Sequence, residues 1–178
     1  MGNTNCVAGG GTPHRADIVI ANNIKYELEL NEDEYCGRYC KHRGFKVTDG
    51  KIVEGHLPPK KIAPFSKGEF SVSGRESTAV APKGKAYYRN SKVNLHIIFE
   101  WAYSGWTSPG TFSGGKVTIT GIPPKEEGWF ALESIPWNQV LKWEFDAKTW
   151  TYEIKERQGF FAEAQDALGR GPNVRIEL

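Results

Sequence analysis

A chain of 178 residues, 39% hydrophobic and 25% charged, is long enough to bury one core and has the balance of a globular domain. A formal net charge of +2 supplies no strong field towards nucleic acid, and no apolar run reaches the length of a membrane-spanning helix. Twenty glycines and ten prolines fit an all-β fold with many turns, while the three cysteines, Cys6, Cys36 and Cys40, are too few and too odd in number for a disulfide framework.

Residues 1–15 show no periodicity, which predicts a flexible arm ahead of a single domain over residues 16–178. Met1-Gly2-Asn3-Thr4-Asn5-Cys6 partly matches an N-myristoylation signal beside an acylatable cysteine. Cys6 stands where Ser or Thr is usual, so a plain flexible start is the simpler reading. No signal-peptide core follows Met1, and the expectation is a cytosolic chain, a mature form, or one secreted by another route.

Ile18 and Ile20 alternate, and so do Tyr26, Leu28 and Leu30 against Glu27 and Glu29. Asn22-Asn23 between them is turn chemistry, predicting a hairpin or two successive strands. Asn31 to Arg43 is a polar connection holding Cys36, Cys40 and His42. Zinc requires four ligands, or three plus water, and no second Cys/His pair lies nearby, so a metal-free loop is expected. Phe45 to Val47 and Lys51 to Val53 flank Asp49-Gly50, a second hairpin signal. Pro58, Pro59 and Pro64 break regular structure before the strand that starts near Glu69.

The strongest pattern is Val93 to Trp101. Val93, Leu95, Ile97, Phe99 and Trp101 share one face, and Asn94, His96, Ile98 and Glu100 the other, as in a strand with one face on a core. A loop with Tyr103, Ser104 and Trp106 follows, and a loop held by a rigid sheet is a common place for a site. Val117 and Ile119 alternate next. Leu141, Trp143 and Phe145 alternate, Asp146-Ala-Lys turns, and Trp150, Tyr152 and Ile154 alternate again, predicting a hairpin. Gln158–Leu168 is the one helical candidate, and Val174, Ile176 and Leu178 read as a closing strand. About ten short strands with regular turns, and no internal repeat, predict a β-sandwich with one short peripheral helix near the C-terminus.

No nucleophile elbow, phosphate-binding glycine loop, dinucleotide fingerprint or His-Glu-x-x-His motif is present, so an enzyme is not expected, and no catalytic residue or cofactor is assigned. His96 and Glu100 share a strand face and read as a solvated pair. The aromatic residues point to a lipid surface instead. Tyr87, Tyr88, Trp101, Tyr103 and Trp106 cluster in sequence, and Tyr and Trp favour a bilayer interface because the ring is apolar and its polar tip stays wet. Such rings hold a quaternary ammonium by cation–π attraction, and Arg75 suits the adjoining phosphate. Alternation places Trp101 on the core face, which favours a packing role for it, with Tyr103 and Trp106 exposed.

Ser73-Gly74-Arg75, Pro82 to Gly84, Ala86-Tyr87-Tyr88 and Leu95 to Trp106 together resemble the actinoporin and aegerolysin cytolysins. The resemblance runs from about Ala16 to Phe112. It implies a β-sandwich toxin fold and a phosphocholine site at Ser73, Tyr87, Tyr88, Tyr103 and Trp106, with Trp101 nearby. The further tyrosine cluster of actinoporins has no match, since Glu126 to Trp137 holds only Trp129, Phe130 and Trp137. The actinoporin pore helix has none either. The arm offers Val7 and Ala8 among glycines, without the apolar stripe such a helix needs. The expectation is therefore binding to a phospholipid membrane surface without autonomous pore formation. The aegerolysin likeness implies a separate protein for perforation and leaves room for oligomers on the membrane. A carbohydrate-binding module is the alternative, because it uses the same aromatic platform with polar neighbours. Nucleic acid is not an expected partner despite Lys83, Lys85, Arg89 and Lys92.

Overall fold

Alternation decides most of the strands. In a computed structural model, residues 15–34, 42–74, 82–102, 114–124 and 135–157 are described. Among them lie eleven strands: β1 (Arg15–Asn23), β2 (Leu28–Leu30), β3 (Phe45–Asp49), β4 (Lys51–Ile52), β5 (Lys61–Ile62), β6 (Ser66–Ser73), β7 (Lys83–Asn90), β8 (Leu95–Ala102), β9 (Gly114–Thr120), β10 (Leu141–Asp146) and β11 (Thr151–Glu156). One sheet runs β10-β11-β1-β6-β4. The other runs β5-β2-β7-β8-β9, with β3 also paired to β7. β1 and β11 are parallel, and the other pairs are antiparallel. The molecule is the all-β sandwich expected.

Its core is the meeting of two inner faces. Ala16, Ile18, Ile20, Phe70, Val72, Tyr152 and Ile154 come from the first sheet. Leu28, Ala86, Tyr88, Leu95, Ile97, Phe99, Trp101, Val117 and Ile119 come from the second. Phe99 makes edge contacts with Tyr88 at 5.8 Å and Tyr152 at 5.4 Å, so aromatic rings interlock across the two layers.

Both tyrosine hydroxyls in this core find acceptors. Tyr88 Oη donates to the Pro59 carbonyl at 2.8 Å, and Tyr152 Oη donates to the Glu100 carbonyl, tying the first sheet to the second. Burial pushes both phenols well above the ordinary tyrosine range, and the Glu100 charge adds to the effect at Tyr152. The neutral form is the one the fold holds. The associated stability is fully present below the unfolded-chain value near 10 and is lost as pH rises above it, by up to about 1.4 kcal/mol per pH unit for each tyrosine. The urea midpoint measured from pH 8 to 11.5 is expected to stay level in these two groups' contribution up to about pH 10 and then fall. Tyr152→Phe, less stable throughout, is expected to fall less steeply; an unchanged slope would show that Tyr152 does not govern the alkaline loss.

The first two strands are successive strands rather than a hairpin, and the hairpin expected around Asp49-Gly50 is instead a crossing between sheets. β1 and β2 follow each other but lie in different sheets, and Asn22 is a buried β1 residue rather than a turn residue. Its side-chain amide reaches the carbonyls of Tyr26 at 2.9 Å, Ala63 at 3.1 Å and Ile62 at 3.3 Å, which holds the corner where the chain changes layer. β3 pairs with β7 and β4 with β6, so the turn at Gly50 bridges the sheets as well. The β10–β11 hairpin forms as expected. Val93 lies not in β8 but in a 3-10 turn, Ser91–Val93, that precedes it. A helix the periodicity does not announce, α1 (Trp137–Val140), is held by the Trp137 indole, which donates to the Val93 carbonyl at 2.9 Å. The helical candidate Gln158–Leu168 and the strand candidate Val174–Leu178 lie outside the described residues, as does the arm before Arg15.

Candidate functional site

The register of the ladders gathers several strand ends at one end of the sandwich. Arg15 pairs with Ser73, Lys51 with Ser73, Asp49 with Lys83, Lys83 with Ala102, and Ala102 with Gly114. The chain therefore leaves towards residues 75–81 and 103–113 from neighbouring points. Arg75, Tyr103 and Trp106 are themselves outside the described residues.

Of the other candidate residues, Trp101 is 1% exposed and its ring meets Phe70 edge-on at 5.3 Å. Tyr88 is equally buried. Tyr87 is half-buried on the opposite face of the same sheet, in a row with Ile98 and Thr118. Neighbouring residues of a strand point to opposite faces, so Tyr87 and Tyr88 do not share a surface. Ser73 is buried at the end of β6.

Ser73 and Trp101 have one property in common. The Ser73 hydroxyl and the Trp101 indole nitrogen are buried without a hydrogen-bond partner among the described residues. Buried polar atoms in this state are few in a native fold, and each costs about 1–3 kcal/mol unless something satisfies it. Two of them belong to residues at the end from which both segments depart.

The outer face of the β7–β8–β9 sheet is charged around Tyr87. Lys85 lies 4.0 Å from Glu100, and Arg89 donates to Asp33 at 2.6 Å. His96 and Glu100 are four strand residues apart, about 13 Å, too far to share a proton.

A second polar cluster escapes motif searching because its members come from distant strands. On the outer face of the first sheet, Arg15, Asp17, His56, Glu69 and Ser71 line a cavity of about 190 Å³. The Ser71 hydroxyl donates to Asp17 at 2.5 Å, and Arg15 reaches Asp17 at 3.3 Å and Ser71 at 3.4 Å. With its proton given to a carboxylate rather than to an imidazole, Ser71 is not set up as a nucleophile. Neighbouring rows of the ladder explain the cluster, since Asp17 pairs with Ser71 across β1 and β6.

His42 stacks on Phe45 at 4.9 Å, while Cys36 and Cys40 lie outside the described residues. Among the described residues no group of three or more His, Cys, Asp or Glu side chains is placed to hold a metal ion. No helix among them is long and apolar enough to cross a membrane. No family model matches the chain, and no curated protein matches it.

Proposed function

We propose that the chain is a cytolysin-like, non-enzymatic protein that binds the phospholipid surface of membranes peripherally and does not perforate them alone. The observation that carries this reading is the convergence at one end of the sandwich. The segments containing Arg75, Tyr103 and Trp106 depart from paired strand ends, Lys83 opposite Ala102 and Ala102 opposite Gly114. In this reading Tyr103 and Trp106 meet the interface and Arg75 takes the headgroup phosphate. Ser73 lies at the same end, with a hydroxyl that an arriving headgroup or its water would satisfy, and Trp101 nearby contributes by packing. Tyr88 contributes by packing and Tyr87 from the adjoining face. A partner protein supplies perforation, because residues 1–15 lack an apolar helical stripe.

Phosphatidylcholine vesicles are expected to shift the tryptophan fluorescence to the blue and to sediment the protein. Replacing Tyr103 and Trp106 together by Ala is expected to weaken binding by about tenfold or more, a loss of 1.4 kcal/mol or greater. An unchanged response in that variant would place lipid contact elsewhere. Dye release by the purified protein alone, lost on deletion of residues 1–15, would show that the arm is a pore element.

The carbohydrate reading has its own support in Trp143, which is 38% exposed between polar side chains on the flank of the sandwich.

A further inference from the structure

The geometry points to a binding site for an acidic saccharide in the cleft between β9 and β10, with a sugar ring against Trp143 and its anionic group on Arg157. This rests on the carbohydrate reading and is independent of the lipid-binding end.

β9 is the last strand of one sheet and β10 the last strand of the other, so two strand edges border the same flank of the sandwich. Near their Gly115 and Phe145 ends the flank is closed, because Gly115 has no side chain and the Phe145 ring lies against it. Towards Ile119 and Leu141 it opens into a cleft of about 340 Å³. Val117, Ile119 and Leu141 make its apolar floor, and Thr118 and Asn138 supply polar groups at its rim.

Trp143 alternates with Leu141 and Phe145, yet it is 38% exposed where Leu141 is 1%. No second aromatic ring packs on it among the described residues. An indole left open beside hydroxyl and amide groups is a stacking platform for a ring with an apolar face and polar edges.

The charge of the cleft is one-sided. Lys142 and Arg157 line it, and no carboxylate does. Neither cation has an ion-pair partner among the described residues. On the outer face of β10 and β11, Lys155, paired across the ladder with Lys142, holds Glu144 at 3.3 Å and Glu153 at 3.0 Å, and the Lys142 charge acts on Glu153 as well. The Arg157 backbone N–H donates to Val140 at 2.9 Å and its guanidinium to the Asn138 carbonyl at 3.3 Å, which seats the side chain at the rim with donors to spare. The Arg157 charge on the cleft disfavours a quaternary ammonium and rewards an anion on the ligand, which a neutral sugar lacks.

Isothermal titration of the full chain with a hyaluronan tetrasaccharide, which alternates glucuronate and N-acetylglucosamine, tests this against neutral chitotetraose and inorganic phosphate. The acidic tetrasaccharide is expected to bind, chitotetraose and phosphate each at least about tenfold more weakly, and binding to weaken as salt is raised. Trp143→Ala and Arg157→Gln are each expected to reduce affinity by about tenfold or more with unchanged circular dichroism. Arg157 is exposed, so its variant stays informative if Trp143→Ala is unstable. Equal binding of the neutral and acidic sugars, binding of phosphate as tight as that of the saccharide, absence of saccharide binding, or full affinity in Arg157→Gln would each overturn the assignment. The Tyr103/Trp106 double variant is expected to keep saccharide binding, which separates failure of this site from failure of the lipid-binding end.

Discussion

Trp101→Ala is expected to cost about 3–5 kcal/mol, a large part of the stability of an ordinary domain. The residue is 1% exposed, meets Phe70 at 5.3 Å, and lies over Gly84. Truncation leaves a cavity between the two sheets that rigid neighbouring strands close only in part. Trp101→Phe is expected to cost much less, because it keeps most of the ring volume and removes an indole N–H that has no partner among the described residues. Urea unfolding of both variants measures the difference. Equal losses would mean that the N–H is satisfied in solution, by water or by residues outside the described set. Because the ring is buried, Trp101→Phe is also expected to retain vesicle binding under conditions where it is folded. A selective loss of lipid binding in that variant would give the indole a direct part in recognition.

Gly84→Val is expected to destabilise by about 3 kcal/mol or more, and Gly84→Ala by about 1–3. Gly84 lies on the inner face of β7, opposite Trp101. A Cβ there would fall 2.5 Å from the Lys46 carbonyl oxygen and 2.5 Å from Trp101 Cζ2. The first is backbone of the paired strand β3 and the second a large buried ring, so neither moves aside cheaply. Thermal melting resolves an effect of this size readily. The informative combination is Gly84→Ala with Trp101→Phe: the smaller ring should recover part of the alanine cost, since the two positions compete for one volume. Strict additivity would locate the clash at Lys46 alone.

The alternation of Leu95 to Trp101 and of Trp150 to Ile154 made the central and hairpin strands legible, because a period of two survives any tertiary arrangement that buries one face. Sheet membership was not legible. Asn22-Asn23 and Asp49-Gly50 are good turn chemistry whether the flanking strands pair or part, and the parting depends on contacts such as Asn22 with Ile62 and Ala63, far away in sequence. Trp143 shows the same limit from the other side. Its place in the alternation marks an inward face, but an inward residue on an edge strand is open to solvent, and no local pattern declares which strand will be the edge. At the candidate lipid site the sequence grouped Tyr87 with Tyr88 as neighbours, and the pleat sends them to opposite faces. Arg75, Tyr103 and Trp106 lie beyond the described residues, so only the departure points of their segments are on view. The polar cluster of Arg15, Asp17 and Ser71 could have been found only by knowing that β1 pairs with β6.

The parallel ladder between β1 and β11 sets an order of events during synthesis. β1 is flanked by β6 on one side and β11 on the other, with Val19 opposite Glu69 and Thr151. β6 leaves the ribosome roughly eighty residues before β11, which is a delay of about 4–16 s at translation rates of 5–20 residues per second. Through that interval one edge of β1 has acceptors and donors in register but no native strand to meet them, beside the apolar Ile18 and Ile20. An edge in that state pairs as readily with the β1 of the next chain on the same message. Elongation therefore competes with intermolecular strand pairing, and the yield of native protein is expected to respond to translation speed and to a chaperone that covers β1.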